Sequence, residues 1–339
     1  MARKTNEQSQ EKFKTMIGGQ ALIEGIMMRG PEKQAIVVRS KGELHTKVEQ
    51  LKPTKKVAKI PFIRGVVNFL ASNVAGVKAL MYSADFFMDE EEEEPQEEAK
   101  GKLDAWLEKK MGSEKFAQGL IYFSVCLGLL FSVGLFFVLP IVLGDALEAW
   151  LGLSTLGKNL IEGLIRVIIF LIYMILVSRM KDMRRVFSYH GAEHKTIRCY
   201  EARLPLTVEN VRKQTRLHPR CGTSFLVVVM VVSILIFVVA NNLLLQIDAI
   251  AALREANRIL YNICMMAMKI LVLLPIVVSI TYELNRWVGR HDNWLTRILS
   301  APGMWMQHFT TNEPDDSMIE AAIEALSQVL PEQEGADRW

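Results

Sequence analysis

Cysteine is scarce in this chain, with four among 339 residues. Cys126 and Cys264 fall inside long apolar stretches, whereas Cys199 and Cys221 fall in a basic segment between two such stretches. Disulfide frameworks need paired cysteines in an oxidising compartment, and this distribution does not indicate one. The sequence therefore excludes a small disulfide-stapled secreted domain.

Several signatures of common protein functions are also missing. The sequence has no Walker loop, no Rossmann glycine pattern, no nucleophile elbow and no internal repeat. The first fifteen residues are polar and charged, so no cleavable signal peptide is predicted. The formal net charge is +3, and the Lys and Arg residues are scattered without a recognition module, which argues against nucleic-acid binding.

Apolar sequence is abundant and makes up 50% of the chain. Four stretches are long and nearly free of charge, at roughly 119–143, 160–178, 223–247 and 260–282. About 20 apolar residues cross a bilayer, so the sequence predicts four transmembrane helices. Glu162 and Arg166 form an i,i+4 pair near the start of the second stretch. Lys269 lies inside the fourth, where it either faces other helices or a wet cavity, or snorkels to the surface.

The basic residues between the apolar stretches predict the orientation in the membrane. Eleven Lys and Arg residues lie in segment 179–222, against only Lys158 in 144–159 and only Arg254 and Arg258 in 248–259. The positive-inside rule then places 179–222 and both termini in the cytoplasm. We therefore expect a multipass protein of the cytoplasmic membrane, with the lipid bilayer as its surroundings.

The chain is predicted to be a mainly α polytopic membrane protein with a small N-terminal cytosolic module. Ala35–Arg39 and Leu44–Val48 alternate around a turn that contains Gly42, which predicts a β-hairpin in that module. We predict a disordered tail at 1–15, a β-rich cytosolic module at 16–59, an interfacial or re-entrant helix at 60–88, an acidic linker at 89–100, a four-span domain at 101–284 with its cytosolic loop at 179–222, and interfacial and cytosolic helices at 285–339, including an amphipathic helix at 315–330.

The segment that points most directly to chemistry is His190-Gly191-Ala192-Glu193-His194. Its H-x-x-E-H spacing is that of the inverted zincins. On a helix, His190 and His194 project from one face one turn apart, where two imidazoles can share a Zn²⁺ ion. Glu193 lies on the neighbouring face, where it can act as a general base on water. Gly191 disfavours a helix at this place by about 1 kcal/mol relative to alanine.

Further ligands must come from elsewhere in the chain. His218 and Cys221 precede the third apolar stretch, and both are zinc ligands in kind and spacing. Glu283 follows the fourth stretch and is the candidate third ligand, with Glu201 as another. The predicted topology places these groups at one cytosolic surface. Four ligands from His190, His194, His218 and Cys221 would close a structural site, whereas three would leave a position for water.

A glycine-rich block, Gly18 to Pro31, forms a second constellation. Its glycines predict tight backbone geometry. Glu24 and Arg29 either complete the surroundings of the metal site or pair with each other.

At these residues the chain resembles the YqhQ-like family of bacterial multipass membrane proteins. The blocks that carry the resemblance run from Gly18 to about Glu313: GGQALIEGIMMRGP, YHGAEHKTIRCYE, RLHPRCGTSFL, TYELNRW and APGMWMQ. The resemblance implies a membrane protein with a predicted metal-dependent enzyme activity, and it supports the candidate residues His190, Glu193, His194, His218 and Cys221. It implies no substrate.

The leading hypothesis is a membrane-embedded, zinc-binding protein acting as a hydrolase at the cytosolic face. The sequence leaves its substrate open between a membrane-proximal peptide and a lipid headgroup, and it names no protein partner. The alternative is a non-catalytic membrane scaffold or regulator with a structural metal site. A third interpretation, a small-solute carrier, depends on the charges within the apolar stretches, and the absence of a repeat argues against it.

Overall fold

The structure is a computed structural model, and it describes residues 13–51, 60–93, 113–333 and 335–338. The chain forms two compact units. The first comprises residues 1–89, 174–232 and 274–339, and the second comprises residues 90–173 and 233–273. Residues 101–112 of the predicted four-span domain lie outside the described residues.

The N-terminal module is a four-stranded antiparallel sheet in the order β1-β2-β3-β4. Its strands are β1 Gly18–Leu22, β2 Gly25–Arg29, β3 Lys33–Ser40 and β4 Glu43–Gln50. The predicted hairpin is therefore confirmed as β3 and β4. Successive residues of β3 point to opposite faces of the sheet, and both are buried: Val37 lies in one apolar cluster and Ile36 in another. Both faces of the sheet are therefore covered.

The glycine-rich block forms the other hairpin, which the alternation argument did not specify. Leu22 pairs with Gly25 across a two-residue turn. Glu24 in that turn has a φ of 48°, the left-handed conformation that such tight hairpins require. The carboxylate of Glu24 pairs with the guanidinium of Arg185, whereas one of the two predictions paired it with Arg29.

Helix α1, Ile63–Glu93, covers one face of the sheet. Ala79 of α1 packs with Leu22, Met27, Ile36 and Val38. The helix continues past the predicted end at residue 88, so residues 89–93 of the predicted acidic linker are helical. Residues 94–100 of that linker lie outside the described residues.

Helices α5, Lys181–Glu201, and α12, Asp316–Val329, cover the opposite face. Tyr189 of α5 and Leu326 of α12 are fully buried there. The amphipathic helix predicted at 315–330 is confirmed, and the side chain of Asp315 caps it by accepting a hydrogen bond from the Met318 amide.

Residues 13–15 of the predicted tail belong to the folded unit. The Thr15 hydroxyl is buried and donates to the Asp337 carboxylate at 2.5 Å. The Phe13 ring packs edge-on against Tyr200. Residues 1–12 lie outside the described part of the chain.

Four long apolar helices match the predicted spans: Phe123–Leu151, Thr155–Val177, Gly222–Leu244 and Arg258–Arg290. The second span is α4 Thr155–Val177, and the third is α7 Gly222–Leu244. The first span contains a π-helical segment, Gly134–Val138, between α2 Ser113–Val133 and α3 Leu139–Leu151. The fourth likewise contains a π-helical segment, Lys269–Leu273, between α9 Arg258–Met268 and α10 Leu274–Arg290. Three further helices lie in the described part of the chain: α6 Val208–Arg212, α8 Asp248–Ala256 and α11 Trp294–Thr310. Apolar side chains on the spans are open to the surroundings, such as Leu130 at 70% exposure, which fits a bilayer environment. The chain is a mainly α polytopic membrane protein.

Charged residues within the spans are paired inside the second unit. The ammonium of Lys269 lies 3.6 Å from the Glu162 carboxylate, and that of Lys158 lies 3.5 Å from it. Lys269 is 7% exposed, so it faces other helices rather than snorkelling. Arg166 donates from its Nε atom to the Phe136 carbonyl at 2.9 Å, so its guanidinium is held by the backbone of the first span.

Candidate metal centre

Helix α5 places the two histidines as the sequence predicted. The helix runs unbroken through Gly191, and the rings of His190 and His194 lie 4.4 Å apart between centroids. This position requires glycine because a Cβ atom at residue 191 would lie 2.0 Å from the Asn312 carbonyl oxygen. The close approach of residue 312, and not helix propensity, therefore explains this glycine.

Cys221 joins the two histidines from the residue before α7. Its sulfur lies 3.2 Å from His190 Nε2. Ligand atoms of His190, His194 and Cys221 all lie within 4.8 Å of one another, and this is the group of three or more potential ligands found among the described residues. His194 and Cys221 are 1% and 6% exposed, so the cluster is largely shielded from water.

The other ring nitrogen of each histidine is held by backbone. His190 Nδ1 lies 2.8 Å from the Thr310 carbonyl, and His194 Nδ1 lies 2.6 Å from the Arg216 carbonyl. A carbonyl oxygen only accepts hydrogen bonds, so each Nδ1 carries the proton. Each Nε2 therefore keeps its lone pair, as in histidines that bind a metal through Nε2 and are oriented through Nδ1.

Glu193 lies beside this cluster with one oxygen engaged and one open. Its Oε1 accepts a hydrogen bond from the Gly19 amide at 2.9 Å, whereas its buried Oε2 has no partner among the described residues. Burial raises the pKa of the Glu193 carboxyl to about 7. A buried carboxylate with a free oxygen is the group that a general base requires.

Among the three donors, which lie within 4.8 Å of one another, one pair is close to the spacing that zinc coordination needs. Tetrahedral Zn²⁺ with two imidazoles and a thiolate needs donor atoms about 3.3–3.6 Å apart. The 3.2 Å separation of His190 Nε2 and Cys221 Sγ is already close to that value. Burial raises the pKa of the Cys221 thiol, but interactions with His194 and Thr223 outweigh it, so the net pKa is lowered and the thiolate is favoured.

His218 lies next to the cluster but faces a different partner. Its ring centroid is 5.5 Å from that of His194, and its Nε2 lies 3.5 Å from the Glu201 carboxylate. Glu201 in turn pairs with Arg220 and accepts a hydrogen bond from the Thr15 amide. The structure thus brings His218 near the three donors without including it among them. Glu201, the other candidate ligand, is engaged in an ion pair with Arg220.

Glu283 lies in another environment. Its carboxylate accepts two hydrogen bonds from the Arg64 guanidinium, one of them from Nε at 2.6 Å, and another from the Phe62 amide. The structure therefore does not bring Glu283 to the histidines. The sequence spacing indicated an acidic group near the membrane surface, but it carried no signal that α1 would supply an arginine to pair with it.

A cavity of about 660 Å³ opens at the cluster. His190, Glu193 and Cys221 line it together with β1, and α1 and the first turn of α7 supply apolar walls. The sequence did not predict the contribution of β1 or of the Thr310 and Arg216 carbonyls, because backbone groups leave no trace in residue type.

Comparison with known proteins supports the resemblance found in the sequence. Residues 60–332 match the family described as "Protein of unknown function (DUF1385)". The chain is 33% identical over 328 residues to "Uncharacterized protein YqhQ" of Bacillus subtilis (strain 168), which covers 95% of this chain and 94% of that relative. No solved structure shows significant similarity to the chain. With a match over most of its length on both counts, the chain belongs to the DUF1385 family of YqhQ-like proteins.

Proposed function

We propose that this membrane protein binds one zinc ion through His190, His194 and Cys221 and uses it to hydrolyse a substrate at the membrane surface. One observation carries the proposal. Two Nδ1-anchored imidazoles and a thiol converge on one point beside a buried carboxylate whose second oxygen has no partner among the described residues.

Three protein ligands favour a catalytic site over a structural one. Structural zinc sites are closed by four protein ligands, whereas catalytic sites keep one position open. A zinc ion held here would supply Lewis acidity to water and to the carbonyl group of the substrate. The neighbouring cavity of about 660 Å³ gives a substrate room to approach that position.

Glu193 moves the proton in the proposed reaction. Its carboxylate takes a proton from the attacking water as the water oxygen bonds to the substrate carbonyl carbon. The bond from that carbon to the leaving nitrogen or oxygen then breaks, and Glu193 returns the proton to the leaving group. The products are a carboxylic acid and an amine or alcohol.

We place this site at the cytosolic face of the cytoplasmic membrane. Segment 179–222 supplies all three ligands and holds eleven Lys and Arg residues, and such segments stay on the cytoplasmic side. A substrate in the membrane surface, either a peptide segment or a lipid headgroup, would reach the site from the bilayer.

Metal analysis of the purified full-length protein tests the proposal. We expect about one zinc per chain in the wild type, and a loss of most of it in His190→Ala, His194→Ala and Cys221→Ala, because each removes one of three ligands. His218→Ala and Glu283→Gln are matched controls that remove predicted ligands outside the three-donor group. Equal zinc in all variants, or none in the wild type, would refute the proposed site.

Glu193→Gln separates the metal from the chemistry. The amide keeps the shape of the carboxylate but cannot take a proton, so zinc content should equal that of the wild type. Loss of zinc in this variant would assign Glu193 to metal binding and remove the proposed base.

A further inference from the structure

Strand β1 forms one edge of the sheet, because the strand order is β1-β2-β3-β4 and β1 pairs only with β2 among the described strands. An edge strand presents unpaired backbone donors and acceptors along its outer side. In this protein that outer side belongs to residues Gly18–Leu22, the same strand that lines the cavity at the three donors.

The Gly19 amide identifies which backbone groups point outward. It donates to Glu193 Oε1 at 2.9 Å and not to β2, so the backbone groups of Gly19 face away from the sheet. Orientation along a strand repeats every two residues, so the N–H and C=O groups of Ala21 face the same way. No described residue hydrogen-bonds the Ala21 amide, the Ala21 carbonyl or the Gly19 carbonyl on that side.

Small residues leave this edge accessible. A Cβ atom at Gly18 would meet nothing within 4 Å, and Gly18 and Gly19 are both exposed. Glycine in a strand permits the close approach of another backbone. Apolar side chains form much of the remaining wall, beside the polar Ser72, Asn73 and Thr223: Phe69, Val77 and Leu80 from α1, and Phe225 and Leu226 from α7.

We propose that the cavity takes an extended peptide segment, which adds as a strand to the outer edge of β1. This assignment rests on the proposed hydrolase and names its substrate class. The Ala21 amide and the Gly19 and Ala21 carbonyls would pair with the peptide backbone, and alternate apolar side chains would occupy the walls. Because Glu193 bonds the same strand, a peptide carbonyl in this register lies beside the zinc ligands.

A peptide fits these groups better than a lipid does. Apolar walls suit an acyl chain and an apolar peptide equally. The donor and two acceptors at strand spacing are satisfied only by a chain that carries amides at the same spacing, since an acyl chain offers no such groups. Leaving backbone groups unpaired on ligand binding costs affinity.

The test measures binding of three hydroxamates to the zinc-loaded full-length protein in detergent by calorimetry. The probes are acetyl-trileucine hydroxamate, the same compound with its amides N-methylated, and decanoyl hydroxamate, which has the metal-binding group without a peptide backbone. We expect the tripeptide probe to bind about tenfold more tightly than either of the others, as loss of one or two backbone hydrogen bonds predicts.

The variant Ala21→Pro removes the outward amide alone, because an edge strand tolerates proline where its N–H points away from the sheet. It should weaken the tripeptide probe about tenfold and leave decanoyl hydroxamate unchanged. Ala21→Ser, which keeps the amide, is the matched control. The N-methylated probe gives the same information on the wild type if the proline variant does not fold.

The outcomes separate this inference from the metal site. A protein that contains zinc but binds decanoyl hydroxamate as tightly as the tripeptide, with no effect of N-methylation, overturns the peptide assignment and points to a lipid. A protein without zinc is tested with acetyl-pentaleucine amide, which has no metal-binding group. Binding that depends on the Ala21 amide then supports the peptide edge while the metal proposal fails, and absence of binding overturns both.

Discussion

At the scale of single residues, Gly191 shows how a local cost serves a long-range contact. It separates the two histidines on α5, where glycine costs about 1 kcal/mol relative to alanine. The backbone of Asn312 lies against it, and the Asn312 amide donates to the Phe187 carbonyl at 2.8 Å on the same helix. This contact holds the end of α11 against α5. The Thr310 carbonyl, two residues before Asn312, contacts His190 Nδ1 and orients its ring.

We predict that Gly191→Ala destabilises the protein despite the better helix propensity of alanine. The added methyl group would lie 2.0 Å from a backbone oxygen that cannot rotate away, and overpacking of this kind costs about 1–3 kcal/mol. The middle of that range exceeds the gain of about 1 kcal/mol in propensity by about 1 kcal/mol, so thermal unfolding in detergent should occur about 2–4 °C lower.

Gly128→Ala provides the control for this substitution, because a Cβ atom at Gly128 in α2 would meet nothing within 4 Å. Its melting temperature should equal or exceed that of the wild type. An unchanged melting temperature for Gly191→Ala would show that residue 312 yields to the methyl group.

At the scale of elements, a side chain from α4 replaces a backbone hydrogen bond that Pro140 removes from the first span. Pro140 has no amide to donate to the carbonyl four residues earlier, which is that of Phe136 in the π-helical segment. Arg166 of α4 donates to that carbonyl. Membrane helices tolerate proline when a neighbour satisfies the freed carbonyl, so this contact explains why an arginine lies within a span.

Glu162 of the same helix holds two buried cations, Lys158 and Lys269, at 3.5 and 3.6 Å. We predict that Glu162→Leu lowers stability by about 3 kcal/mol, because the loss of this carboxylate leaves the buried charge of Lys269 uncompensated, whereas Lys158 keeps Asp145 as a partner. Unfolding in detergent measures the loss.

Leu164→Ala is the matched control on α4, since Leu164 is 58% exposed on the surface of the helix. It should have little effect. The double variant Glu162→Leu, Lys269→Met should recover part of the loss, because an apolar replacement removes the uncompensated charge as well. A single variant as stable as the wild type would show that these ion pairs contribute nothing to the fold.

At the scale of the whole molecule, four spans and their basic segments determine on which side of the membrane each part lies. We predict that alkaline phosphatase fused after Gly152 is active. Segment 144–159 contains Lys158 as its one basic residue, so it should be translocated to the side opposite the cytoplasm. Green fluorescent protein fused to the C-terminus should fluoresce.

Alkaline phosphatase fused after Arg203 is the internal comparison, since it follows a basic segment and should be inactive. The reverse pattern at these three positions would move the proposed zinc ligands to the other side of the membrane. It would contradict the proposed cytosolic site without affecting the metal analysis.

Features that depend on neighbours along the chain were predictable from the sequence. Hydropathy predicted the four spans, alternation predicted β3 and β4, and helical spacing placed His190 and His194 on one face of α5. In each case a few consecutive side chains decide the outcome, through burial with period 2 or 3.6.

Features that depend on distant partners were decided only by the tertiary structure. Glu283 and Cys221 were equivalent candidates in the sequence, yet Cys221 meets the histidines and Glu283 meets Arg64, which is 219 residues away. The carbonyls that orient the histidines and the outer edge of β1 are backbone groups, which every residue type carries. The sequence thus determined the helices and two of the proposed zinc ligands, whereas packing between remote elements selected the third, because residue type alone does not say which of several suitable groups will be brought together.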